Sequence, residues 1–192
     1  MASSFGILAN EIGYAAMNDA NLILVLGGAR SGKSRYAETL IKATQPPWTY
    51  VATAEEGDDE MAARIKMHRE RRGASWRTIE AAREIPAVLA QCKSAPVLVD
   101  CLTLWLSNLM LAGADIDREI GRLEEALREM KAQVVLVANE VGLGIVPDYP
   151  LGRQFRDWQG VLNQRIAAQA DRVILMVAGL PVVVKDSPEV RR

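Results

Sequence analysis

Four stretches of this chain are apolar at every position, not at every second one. They are Leu22–Leu26, the Val97-Leu98-Val99 core of Pro96–Asp100, Val134–Ala138 and the Val173–Val177 part of Arg172–Val177. A strand with one wet face alternates apolar and polar residues, whereas an unbroken apolar run is buried on both faces. Between these runs lie segments of helical periodicity: Ser34–Ala43, Asp58–Arg72, Ile85–Cys92, Leu102–Leu111, Asp117–Lys131 and Arg153–Ala170. Trp48–Thr53 reads as a further strand, Trp76–Glu80 as a short one and Val182–Lys185 as an edge strand. Buried strands alternating with helices predict an α/β fold: a mostly parallel central sheet with helices on both faces.

The 192 residues suffice for one such domain. No repeat, low-complexity stretch or linker divides the chain, so residues 21–192 are expected to form a single domain. Residues 1–20 lack a basic start, and Asn10, Glu11 and Asn18 break their apolar stretches, which argues against a secretory signal. They are expected to be a poorly ordered or loosely docked extension. No apolar run is long enough to span a bilayer. A formal net charge of −1 gives no global field to draw in nucleic acid or anionic lipid. Cys92 and Cys101 form no C-x-x-C pair; they fit a reducing, cytoplasmic compartment as small buried hydrophobes. A single histidine excludes a Cys/His zinc cluster.

Directly after the first apolar run stand Gly27-Gly28-Ala29-Arg30-Ser31-Gly32-Lys33-Ser34, a complete G-x-x-x-x-G-K-[ST] phosphate-binding loop. Its glycines let successive N–H groups point into one concavity, and the helix that follows adds its positive end. Lys33 is expected to meet the β- and γ-phosphates of a nucleoside triphosphate, and the Ser34 hydroxyl to ligate Mg²⁺. The fold class is therefore that of the P-loop NTPases.

Asp100 ends a buried strand, where phosphate-loop proteins place a carboxylate beside Mg²⁺. His68 lies among Arg64, Arg69, Arg71 and Arg72, with Arg64 and Arg72 on its own helical face. Such arginines depress an imidazole pKa and seat phosphates, which suits a histidine that attacks phosphorus. The same residues also describe the solvated basic end of a surface helix with an incidental histidine. A nucleic-acid patch lacks interleaved aromatics. The Gly/Pro-rich stretch Asn139–Gly152 follows the fourth strand, where such sheets bind ligands, and reads as a substrate-facing loop. A regulatory GTPase is disfavoured: no [NT]-K-x-D motif is present, and Asp157-Trp158-Gln159-Gly160 falls inside a predicted helix.

Together these strings resemble the bifunctional adenosylcobinamide kinase/adenosylcobinamide-phosphate guanylyltransferase family, from about Leu22 to Lys185. The resemblance is carried by Gly27–Arg35, Asp58–Ile65, His68, Trp76-Arg77-Thr78 with Glu80, and Asp100–Thr103. It continues through Asn139–Pro147, Phe155-Arg156-Asp157 and Asn163-Gln164-Arg165. It implies phosphorylation of adenosylcobinamide by ATP or GTP, then transfer of GMP from GTP to the product. It implies that His68 carries the GMP, with Lys33 also catalytic and Gly27–Ser34 holding the triphosphate. Ala52, Thr53, Ala54, Arg69, Glu70, Arg71, Arg72, Glu80 and Asp100 match nucleotide contacts. A corrinoid substrate and a homo-oligomer, a trimer with its site near a subunit boundary, are implied as well.

Overall fold

A computed structural model describes residues 21–54 and 73–186. The strands are β1 (Leu22–Gly27), β2 (Trp48–Ala52), β3 (Trp76–Glu80), β4 (Val97–Asp100), β5 (Val134–Asn139), β6 (Arg172–Val177) and β7 (Leu180–Asp186). The helices among the described residues are α1 (Lys33–Lys42), α2 (Ile85–Gln91), α3 (Leu102–Leu111), α4 (Ile116–Arg128) and α5 (Pro150–Gln169). All seven strands join one sheet in the order β3-β2-β4-β5-β1-β6-β7. Every pairing is parallel except β6 with β7.

The pleat sorts each apolar run between two cores. Leu22 and Leu24 face the larger core with Trp105, Leu106, Ile120, Leu123, Leu162 and Ile166 from α3, α4 and α5. Ile23 and Val25 face the other core with Ala37, Leu40 and Ile41 of α1. Helices on both faces are thus what the unalternating runs required, and β1, central in the sheet, is sealed on both sides.

Boundaries moved where local chemistry was decisive. Helix α5 begins at Pro150, not Arg153, because proline's fixed φ and missing N–H suit a first helical turn. The preceding loop is correspondingly shorter than Asn139–Gly152. Helix α4 stops at Arg128 rather than Lys131. It starts at Ile116, one residue ahead of the predicted Asp117, because the Asp115 carboxylate caps it by accepting the Arg118 N–H at 3.1 Å. Strand β7 is longer than Val182–Lys185 because Ala178 (φ 51°) and Gly179 (φ 84°) close a tight hairpin on β6. The expected helix Asp58–Arg72 and the extension 1–20 lie outside the described residues.

Candidate active site

The loop Gly27–Ser34 leaves the carboxyl end of β1 and is anchored on both flanks. The Glu140 N–H donates to the Gly27 carbonyl at 3.2 Å, and the Gly179 N–H to the Ser31 carbonyl at 3.1 Å. Gly27 is required by close approach, since a Cβ there would lie 2.5 Å from Ser31 Oγ and 2.8 Å from the Met176 carbonyl. Gly32 (φ 92°) turns the chain into α1, and Arg30 also has positive φ (56°). Lys33 Nζ donates to the Gly28 carbonyl at 2.8 Å, so its ammonium is held over the loop. Ser31 Oγ is buried with no hydrogen-bond partner among the described residues. A loop of this sequence at a helix start, with an ammonium held over it, suits a polyphosphate.

A second group sits on the same edge of the sheet. Register aligns Glu80, Ala52, Asp100 and Val137 in one row across β3, β2, β4 and β5. Since β5 lies between β4 and β1, the row continues to Val25, two strand spacings or about 10 Å from Asp100, and the loop begins two residues further along β1. Tyr50 Oη donates to Asp100 Oδ2 at 3.2 Å. Burial, then the Asp100 charge, pushes the Cys101 thiol up to about 11, while Lys33 opposes this weakly. The thiol therefore stays protonated at neutral pH and is no nucleophile. Cys92 and Cys101 are both free, the first buried and the second half-buried.

The half-buried Ser34 hydroxyl and Asp100 carboxylate supply hard oxygen donors. No group of three or more His, Cys, Asp or Glu among the described residues could hold a metal by itself. That sparse set fits Mg²⁺, which usually takes one or two protein oxygens and completes its shell with phosphates and water.

Of the sequence-predicted residues, the structure brings Gly27–Ser34, Ala52, Thr53, Ala54, Glu80 and Asp100 to one edge of the sheet. Thr53 is fully buried, with its hydroxyl committed to Cys101. His68, Arg69, Glu70, Arg71 and Arg72 lie outside the described residues.

The loop after β5 runs along the same edge. Arg156 donates to the Gly142 carbonyl at 2.7 Å, and Arg153 to the carbonyls of Pro147 and Asp148 at 3.1 and 2.7 Å. Held this way, the loop exposes Leu143 (86%) and Ile145 (97%), and Tyr149 at its far end lines a groove of about 210 Å³ with Met110, Leu111 and Phe155. Asp157–Gly160 is helical, so it forms no GTPase loop.

Sequence reading missed Tyr50, Thr103, Asn108 and Asn163 as supports of this edge. Thr103 Oγ1 accepts the Asn139 N–H at 2.7 Å, and Asn163 Nδ2 donates to the Asn139 carbonyl at 3.1 Å. The only signal for Asn163 was its place in the Asn163-Gln164-Arg165 string. Arg165 of that string is structural: it binds Glu124 at 2.6 and 2.9 Å and Asp117 at 2.6 Å.

Fold and loop together define a P-loop NTPase-type nucleotide-binding protein. Solved structures share this architecture at low identity. FlaH, a flagellar accessory protein of Methanocaldococcus jannaschii, superposes with TM-score 0.51 and 13% identity, covering 88% of this chain and 80% of that one. The type III secretion ATPase EscN of enteropathogenic E. coli gives 0.54 and 11%, covering 88% and 48%. The family model described as cobinamide kinase / cobinamide phosphate guanyltransferase matches residues 23–184. The bifunctional adenosylcobalamin biosynthesis protein CobP of Pseudomonas aeruginosa is 47% identical over 169 residues, 86% of this chain and 98% of that protein. CobU of Salmonella typhimurium is 46% identical over 182 residues, 85% and 99%. The chain belongs to the cobinamide kinase / cobinamide phosphate guanyltransferase family. No helix among the described residues is long and apolar enough to cross a membrane.

Proposed function

We propose that this chain catalyses both reactions on one corrinoid. It first moves the γ-phosphoryl of ATP or GTP onto the aminopropanol hydroxyl of adenosylcobinamide. It then moves GMP from GTP onto that phosphate, giving adenosylcobinamide-GDP and pyrophosphate. The observation that carries this reading is a complete phosphate loop, sharing an edge with Asp100, in a chain of this family.

In the kinase step the loop N–H groups and Lys33 hold the transferring phosphoryl in line with the hydroxyl, and positioning with charge stabilisation suffices. Mg²⁺ held by Ser34 and Asp100 would supply neutralising charge at the phosphates. In the guanylyl step a His68 nitrogen bonds to the α-phosphorus while the bond to the β-phosphate bridging oxygen breaks. Lys33 and the loop then stabilise the departing pyrophosphate. A phosphate oxygen of the corrinoid next attacks the phosphoramidate, the P–N bond breaks and His68 is restored. Arg69, Glu70, Arg71, Arg72 and Glu80 complete the nucleotide contacts. The exposed Leu143 and Ile145 offer an apolar seat for the corrin ring, next to the loop that holds the phosphates. The working enzyme is a cytoplasmic homo-oligomer, a trimer, which light scattering on the purified chain would test.

Incubation with α-labelled GTP is the direct test. The wild type should take up acid-labile label, and His68→Ala none. His68→Ala should lose GMP transfer by at least about a thousandfold while keeping most kinase activity. Equal loss of both in a folded variant would overturn the assignment. Lys33→Ala should lower both steps by about a hundredfold.

A further inference from the structure

We propose that Thr53 is a positioning residue for Asp100, holding the strand end that carries this carboxylate, and not a nucleotide contact. The proposal rests on the reading of Asp100 as the carboxylate of the metal–nucleotide site. Thr53 is 0% exposed, and each of its polar groups is committed inside the protein. Its Oγ1 donates to the Cys101 carbonyl at 2.7 Å and accepts the Cys101 N–H at 2.7 Å. Its own N–H reaches the Asp100 carbonyl at 3.4 Å. Its carbonyl accepts from Asn108 Nδ2 at 2.9 Å. A hydroxyl has one donor and two acceptor sites, and here the donor and one acceptor go to the residue directly after Asp100.

The need for this hydroxyl follows from where Cys101 stands. Strand β4 ends at Asp100 and α3 begins at Leu102, so Cys101 is the N-cap between ladder and helix. Backbone groups at such a junction need side-chain partners when water is excluded. From the neighbouring strand end Thr53 Oγ1 accepts the Cys101 N–H and adds a second donor to the Cys101 carbonyl, which also accepts the Trp105 N–H at 3.2 Å. With Tyr50 on Asp100 Oδ2 and Thr53 on the next residue, the carboxylate is held from its side chain and from its backbone. Small displacements of a positioned group cost rate steeply. No atom of Thr53 is left to meet a nucleotide, so its effect passes through Asp100.

The test compares Thr53→Val, which keeps the shape without the hydroxyl, with Thr53→Ser, which keeps the hydroxyl, and Asp100→Asn. Kinase kcat and nucleotide KM are measured beside equilibrium binding of a fluorescent GTP analogue, with Mg²⁺ and with EDTA. Thr53→Val should lose about 10- to 100-fold in kcat. It should also lose the Mg²⁺-dependent gain in affinity while binding as the wild type does in EDTA. Thr53→Ser should recover both to within about twofold, since the hydroxyl is retained. Weaker binding of Thr53→Val in EDTA would mark a direct nucleotide contact and overturn the proposal. So would a wild-type Thr53→Val beside an impaired Asp100→Asn. A wild-type Asp100→Asn would overturn the reading of Asp100 itself. If Thr53→Val does not fold, Thr53→Cys, a weaker donor and acceptor, should show an intermediate loss; wild-type behaviour there overturns the proposal.

Discussion

Single residues on the phosphate edge differ sharply in what surrounds them. Gly27 and Gly28 are adjacent and identical in the sequence, yet a Cβ at Gly27 would meet Ser31 Oγ at 2.5 Å, while one at Gly28 meets nothing within 4 Å. Gly27→Ala should therefore cost about 1–3 kcal/mol by overpacking, read as a lowered melting temperature without nucleotide. Gly28→Ala should leave that temperature nearly unchanged. Trp105 is fully buried, and its Nε1 donates to the Arg83 carbonyl at 2.8 Å. Trp105→Ala should destabilise by about 3–5 kcal/mol in urea unfolding. The phosphate loop was legible residue by residue because its motif is contiguous. Thr53 was legible only as part of a resembling string, since its hydrogen bonds span 48 positions of sequence.

Among the elements, α3 does most to assemble the site. Its sequence, Leu102–Leu111, reads as an apolar helix, and its buried side chains do fill the larger core. Its polar residues act elsewhere: Thr103 holds the Asn139 N–H, and Asn108 donates to the carbonyls of Thr53 and Ala82 at 2.9 and 3.0 Å. One helix thus ties together the ends of β2, β3, β4 and β5. Asn108→Leu should cost about 1–3 kcal/mol, because two partly buried carbonyls lose their donor. It should also raise the nucleotide KM in steady-state kinetics. Helix periodicity shows that α3 has an apolar face, but it cannot show which distant carbonyls its polar side chains reach. The loop after β5 was legible as a connection leaving the carboxyl end of its strand. Its outward Leu143 and Ile145 predict that Ile145→Asp raises the adenosylcobinamide KM by about tenfold and leaves the nucleotide KM alone.

Across the whole molecule, the helical layer is tied by Arg165 of α5 to Glu124 and Asp117 of α4. The Arg165 hydrogen bond, outweighing partial desolvation, holds the Glu124 carboxyl below its ordinary value of 4.5. A depressed folded-state pKa adds stability above the unfolded value and loses it as pH falls through the folded one. Wild-type melting temperature should therefore fall as pH drops below about 4.5, and Glu124→Gln should flatten part of that slope. Both partners are half-buried, so added salt should weaken the effect only in part. The layered α/β architecture, the two-sided burial of the sheet and the triphosphate loop were determined by the sequence alone, because each is written in neighbouring residues or a short period. Only the tertiary structure decided that Glu80, Ala52 and Asp100 stand in one row, and that the Thr53 hydroxyl meets the Cys101 backbone. Strand order and register set those distances, and they depend on how buried surfaces pack across the whole sheet, which no local stretch of sequence encodes.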